Sequence, residues 1–172
     1  GVNLEITAGE TLGLVGESGS GKTTMARAIL RLVDATEGAV FYKNIDILNL
    51  SLSEFRKYRN KFQIIFQDPY SSLNPRLTAM DIITEGAIEH KLISAFDKIK
   101  TAEELFEQTG IDKSYLTRYP HEFSGGQRQR INIARALSMK PEFVVCDEPV
   151  SALDVSVRAQ ILELMLELQR KY

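Results

Sequence analysis

Three continuous apolar runs punctuate the chain: Leu12–Val15, Phe62–Phe66 and Phe143–Cys146. Runs of this kind predict strands covered on both faces, as in a parallel sheet. Val2-Asn3-Leu4-Glu5-Ile6 alternates apolar and polar residues instead, the pattern of a half-buried strand. With Ala39–Tyr42 it predicts a small antiparallel sheet. Elsewhere the period lengthens to that of helices. Met25, Ile29, Leu32 and Val33 predict a helix over Lys22–Val33, and similar spacing predicts helices over Ala79–Glu89, Ile99–Gln108 and Ser124–Leu137. A stripe of Ile161, Leu164, Met165 and Leu168 marks one more amphipathic helix near the end. The segment Asp68–Pro75 holds two prolines among Ser and Asn residues and predicts a loop. Strands at both ends therefore bracket a helical region over 70–139. No repeat or low-complexity tract interrupts this order.

The first apolar run leads into Gly16-Glu17-Ser18-Gly19-Ser20-Gly21-Lys22-Thr23, which fits the pattern G-x-x-x-x-G-K-[ST]. A strand feeding a glycine-rich turn and then a helix N-terminus forms an anion site. Successive N–H groups point inward, and the helix dipole favours negative charge there. Lys22 is placed to reach the β- and γ-phosphates of a nucleoside triphosphate, and the Thr23 hydroxyl to hold Mg²⁺. Thr24 follows on the first helical turn. The last apolar run ends in Asp147 and Glu148. At the carboxyl end of a strand in a nucleotide-binding α/β fold, Asp147 can act on Mg²⁺, and Glu148 can orient or deprotonate a water. Ser124-Gly125-Gly126-Gln127 offers a second helix terminus, with Ser124 as its cap and two glycines that expose N–H groups.

Composition narrows the setting. A net charge of −2 makes no electrostatic case for a nucleic-acid partner. Arg128, Arg130 and Arg135 read instead as a solvated or interface-facing helix surface. No apolar stretch reaches the ~20 residues needed to span a bilayer. The single cysteine, Cys146, lies in an apolar run and is expected to be a buried thiol. His90 reads as a solvated helix residue, and His121 as a local structural or interface contact. The opening strand has nothing before it, and the last helix runs to Tyr172 without a stop signal, so the chain is expected to be part of a longer polypeptide.

Taken in order, these motifs resemble the nucleotide-binding domain of ABC-type ATPases. Gly16–Thr23 resembles Walker A, Gln67 the Q-loop glutamine, Phe123–Gln127 the signature motif with Phe in the place of Leu, Phe143–Asp147 Walker B, and Ser151–Asp154 the D-loop. The text of Gln67–Arg76, Tyr119–Arg130 and Glu148–Ser156 is similar to the oligopeptide/dipeptide importer branch. The resemblance implies an α/β fold: a P-loop NTPase core with a mainly parallel sheet, a small antiparallel β subdomain and an inserted helical subdomain. On that division 1–69 and 140–172 form the ATP-binding core, and 70–139 the signature subdomain. It implies ATP and Mg²⁺ as ligands, with Gly16–Thr24 and Ser124–Gln127 against the nucleotide. Thr23, Gln67 and Asp147 would serve the metal, and Glu148 and Gln67 catalysis. It further implies a head-to-tail dimer with a second ATPase subunit, membrane-spanning permease subunits docked near the Asp68–Arg76 loop, and a peripheral place on the cytoplasmic face of the membrane. An adenine-stacking aromatic and a switch histidine, which the family carries farther out, fall beyond the 15 residues before Gly16 and the 18 after Asp154. Two other readings stand beside the importer: a soluble ABC ATPase, and a nucleotide-binding module without turnover.

Overall fold

The computed structural model describes residues 1–172. Its centre is a pair of parallel strands, β3 (Phe62–Ile65) and β4 (Phe143–Cys146), in register from Phe62 opposite Phe143 to Ile65 opposite Cys146. Strand alternation sends successive side chains to opposite faces. Phe62 therefore joins a cluster with Leu30, Ile47 and Phe55, while Ile65 joins Ile133, Ala136, Leu153, Ile161, Leu164 and Leu168. Helix α1 (Lys22–Ile29) and the short α2 (Leu52–Phe55) lead into the first cluster. The second is closed by α5 (Gly125–Ser138) and α6 (Val155–Lys171).

The largest cluster lies between Leu73 and Ala134, where α3 (Ala79–Glu89), α4 (Lys98–Thr109) and α5 pack together around Ile83, Phe106 and Ile131. Each such side chain taken fully out of water contributes about 1.5–3 kcal/mol. Helix α5 serves two cores at once. Ile131 and Ala134 face the helical cluster, whereas Ile133 and Ala136 face the sheet.

Helix α3 keeps its predicted bounds, and α4 and α5 lie within a residue of theirs. Helix α1 is shorter than predicted. It stops at Ile29, and Arg31 takes a left-handed φ of 51°. The Arg31 and Leu32 N–H groups then return to Ala28 and Arg27 carbonyls, a closing turn usually marked by glycine. The Arg31 side chain accounts for the exception, since its Nη1 donates to the carbonyls of Ile47 and Leu50 at 3.0 and 2.8 Å.

Two predicted strands do not form. Val2–Ile6 and Leu12–Val15 are exposed, and neither run makes a backbone hydrogen bond to another segment. An apolar run specifies burial but not a partner, and β4 pairs here with β3 alone. The antiparallel sheet is correspondingly different. It joins β1 (Phe41–Tyr42) to β2 (Ile45–Asp46), through Lys43 and Asn44 at φ 48° and 68°. Positive φ at both central residues makes the tight hairpin turn whose twist suits its strands. Cys146 is likewise not the enclosed thiol expected. It lies on the open face of β4, yet partial burial pushes its thiol up to about 11.

Candidate functional site

The glycine-rich loop ends on α1, whose N-cap is Gly21 at φ 92° and which has no side-chain cap. Its first N–H groups therefore face outward with the positive end of the helix dipole behind them. Gly19 also sits at φ 82°, a conformation that a Cβ would strain. Lys22 folds back into the loop. Its Nζ donates to the carbonyls of Gly16 and Glu17 at 2.7 Å each, and to Ser20 Oγ at 3.4 Å. The Ser20 N–H closes the turn on Glu17 at 3.2 Å. The Lys22 ammonium is thus held by Gly16, Glu17 and Ser20 within the loop that also comprises Ser18, Gly19 and Gly21, while Thr24 is exposed on α1.

One hydrogen bond brings Asp147 to this loop, and a second joins its neighbour Glu148 to Gln67. Thr23 Oγ1 donates to Asp147 Oδ1 at 2.9 Å, and Gln67 Nε2 donates to Glu148 Oε2 at 3.0 Å. The strand ladder explains the meeting. The Asp147 N–H continues the parallel ladder onto the Ile65 carbonyl at 3.0 Å, so Gln67 and the two acids leave from adjacent strand ends. Glu148 holds φ at 47°, and its carbonyl accepts from both Ser151 N–H and Ser151 Oγ at 3.1 and 3.0 Å. A non-glycine residue in that region costs of order 1–3 kcal/mol, and such strain gathers at functional sites. The Thr23 hydroxyl and Asp147 carboxylate are adjacent hard oxygen donors, the donor type Mg²⁺ takes. The Gln67 carboxamide spends its N–H on Glu148.

The Ser124 turn is built as a capping box. Gln127 N–H donates to Ser124 Oγ at 3.3 Å, and Ser124 N–H to Gln127 Oε1 at 3.0 Å. Ser124 is exposed, and none of the turn's hydrogen bonds reaches residues 16–23. The two glycines also serve packing. A Cβ on Gly126 would lie 2.6 Å from Val157 Cγ1, and one on Gly125 3.5 Å from Leu153 Cδ2.

Of the two readings of the arginines, solvated or interface-facing, the solvated one does not hold, since all three are half-buried and bonded within the chain. Arg128 donates to the Phe123 carbonyl at 2.7 Å, Arg130 to Thr109 at 2.7 Å and Arg135 to Ser72 at 2.6 Å. Burial lowers the Arg135 guanidinium below the usual arginine range. His121 stacks on Tyr119, with ring centroids 6.0 Å apart. His90 caps α3 half-buried rather than freely solvated. Sequence reasoning missed Arg158, which donates from Nε to the Leu153 carbonyl at 2.7 Å and from Nη2 to Ser151 at 3.1 Å. It thereby holds the 151–154 turn beside Glu148. Only its distance from Asp154, one helical turn, hinted at this.

Residues 1–151 match the ABC transporter family. The chain belongs to that family. It is 52% identical over 172 residues to the oligopeptide transport ATP-binding protein OppF of Bacillus subtilis, covering 99% of this chain and 56% of that protein. It is 54% identical over 173 residues to the dipeptide transport ATP-binding protein DppF of Lactococcus lactis, covering 99% of this chain and 55% of the relative. This ABC chain thus spans little more than half the length of these relatives. Among solved structures it is similar to a dimeric ATP-binding cassette in a post-hydrolysis state bound to ADP and Pi. That likeness has a TM-score of 0.87 and 35% identity, over 99% of this chain and 74% of the other. The P-loop α/β fold with its small antiparallel sheet is therefore shared with ABC cassettes.

Proposed function

We propose that this chain binds ATP at Gly16–Thr24 and hydrolyses it to drive import of oligopeptides or dipeptides through a membrane transporter. The observation that carries the reading is the meeting of Thr23 with Asp147, and of Gln67 with Glu148, at the mouth of the Lys22 loop. Lys22 would exchange its carbonyl partners for the β- and γ-phosphates, which offer a charge-assisted bond in place of neutral ones. Thr23 and Asp147 would hold Mg²⁺, which supplies charge neutralisation on the phosphate oxygens. Gln67 would orient the attacking water. Glu148 would accept its proton as the water oxygen bonds to the γ-phosphorus and the bond from that phosphorus to the β,γ-bridging oxygen breaks, with ADP as the leaving group.

The Ser124–Gln127 turn, exposed at Ser124, makes no hydrogen bond to its own loop, and its helix N-terminus suits a phosphate presented by another subunit. We therefore read the active form as a head-to-tail pair of ATPase subunits. On this reading 1–69 and 140–172 carry the nucleotide and 70–139 carries the signature turn. The Asp68–Arg76 loop would face permease subunits on the cytoplasmic side of the membrane. No helix of the chain is long and apolar enough to cross a bilayer itself.

The test is Mg-ATP turnover and binding in three proteins. Glu148→Gln is expected to lower turnover by roughly 10²–10⁴-fold while nucleotide still binds. Lys22→Ala is expected to lose binding. Equal turnover in Glu148→Gln and the unaltered protein would remove the assigned base.

A further inference from the structure

Glu148 holds a backbone conformation that its sequence disfavours twice over. It is not a glycine, and Pro149 follows it. A proline ring pushes the residue before it toward extended backbone, yet Glu148 keeps a left-handed φ of 47°. Such a conformation persists only where the surroundings over-determine it, and the turn that follows supplies the restraint. The Glu148 carbonyl accepts twice from Ser151, from its N–H at 3.1 Å and from its Oγ at 3.0 Å. The Leu153 N–H closes on the Val150 carbonyl at 3.1 Å, and the Leu153 side chain is buried beside Ile65 and Ile161.

Helix α6 clamps this turn from the other side. Arg158 donates from Nη2 to the Ser151 carbonyl at 3.1 Å and from Nε to the Leu153 carbonyl at 2.7 Å. One planar guanidinium therefore spans two carbonyls, which a lysine ammonium cannot do with the same directed geometry. The arginine stands in an otherwise unfavourable place. It is the fourth residue of α6, whose first turn holds no acidic residue and whose N-cap Asp154 makes no side-chain cap. A cation there opposes the positive end of the helix dipole. Its bonds to residues 151 and 153 offset that cost. At the far end of the same chain of contacts, the Glu148 carboxylate accepts from Gln67 Nε2 at 3.0 Å.

We propose that Arg158 and Ser151 are positioning residues for Glu148: by fixing the turn over 148–153, they keep the base in a backbone conformation that it would otherwise leave. The inference rests on the ATP reading above. A change in φ swings Cβ about the N–Cα bond, so relaxation to extended backbone takes the carboxylate away from Gln67 and from the water on which both act. Neither positioning residue is assigned a contact with nucleotide, and binding is expected to survive their substitution.

The experiment is a double-mutant cycle on Mg-ATP turnover, with Mg-ATP affinity and hydrogen exchange of the Ser151 and Leu153 amides read alongside. Arg158→Lys is expected to lower kcat about tenfold, and Ser151→Ala, which keeps its N–H bond, about threefold. Affinity should stay unchanged in both, and exchange in the turn should quicken. In a Glu148→Gln background neither substitution should lower the residual rate further, because its effect passes through the carboxylate. Equal losses with and without Glu148, or a fall in affinity that matches the fall in kcat, would show a merely structural role and overturn the proposal. Unchanged kcat in both variants would overturn it as well. Failure of the unaltered protein to turn over Mg-ATP would sink the ATP reading itself, and the role of Glu148 with it.

Discussion

One carboxylate, Glu142, collects three donors: Tyr42 Oη at 2.6 Å, Lys43 Nζ at 2.6 Å and Lys61 Nζ at 2.9 Å. They pin the β1–β2 hairpin to the start of β4. Hydrogen bonds from Lys43, then Tyr42 and Lys61, hold its pKa down to about 2, against 4.5 for an ordinary glutamate. A depressed folded-state value stabilises the fold above the unfolded value. That contribution is full above about pH 4.5 and is lost as pH falls through about 2. The site is partly exposed, so the gain is at most about 1 kcal/mol. Denaturant unfolding at about pH 6 and about pH 3 should show a smaller acid-induced loss in Glu142→Gln than in the unaltered protein. An equal loss in both would show that the cluster does not couple to folding.

At the scale of elements, the approach of α5 to α6 is the tightest constraint, because Gly126 leaves no room for a Cβ beside Val157. Alanine favours helices over glycine by about 1 kcal/mol, so propensity alone predicts that Gly126→Ala stabilises. The 2.6 Å clash with a stiff β-branched side chain reverses the sign. We expect a net loss of about 1–3 kcal/mol, recovered in large part by adding Val157→Ala. A double-mutant cycle in urea measures both terms, and additive losses would dismiss the contact. Such contacts are silent in sequence, where Gly125-Gly126 signals only a turn with free N–H groups. The loop at Gly16–Thr23 was legible because its chemistry dictates residue types at fixed spacing. The end of α1 was less so, since Arg31 adopts positive φ where glycine is the usual marker.

For the whole molecule, two cores of different make-up share one helix. Phe106→Ala removes a fully buried ring from the helical cluster and should cost about 3–5 kcal/mol. Hydrogen exchange should quicken through α3 and α4 and leave the β3–β4 ladder protected. Equal quickening in both would mean that the cores unfold as one. The helical region was readable from periodicity because its contacts are local along the chain. The pairing of Gln67 with Glu148, across 81 positions, depends on strand order, which no local pattern encodes. Leu12–Val15 failed for the same reason. The double duty of α5 bears on how such genes can be recombined. A chimaera that exchanges 70–139 with a homologue imports Ile133 and Ala136 as well, and these must mate with the resident Ile65 and Ile161. Crossovers should therefore be tolerated only where donor and recipient agree on that buried seam, however well their helical regions fold among themselves.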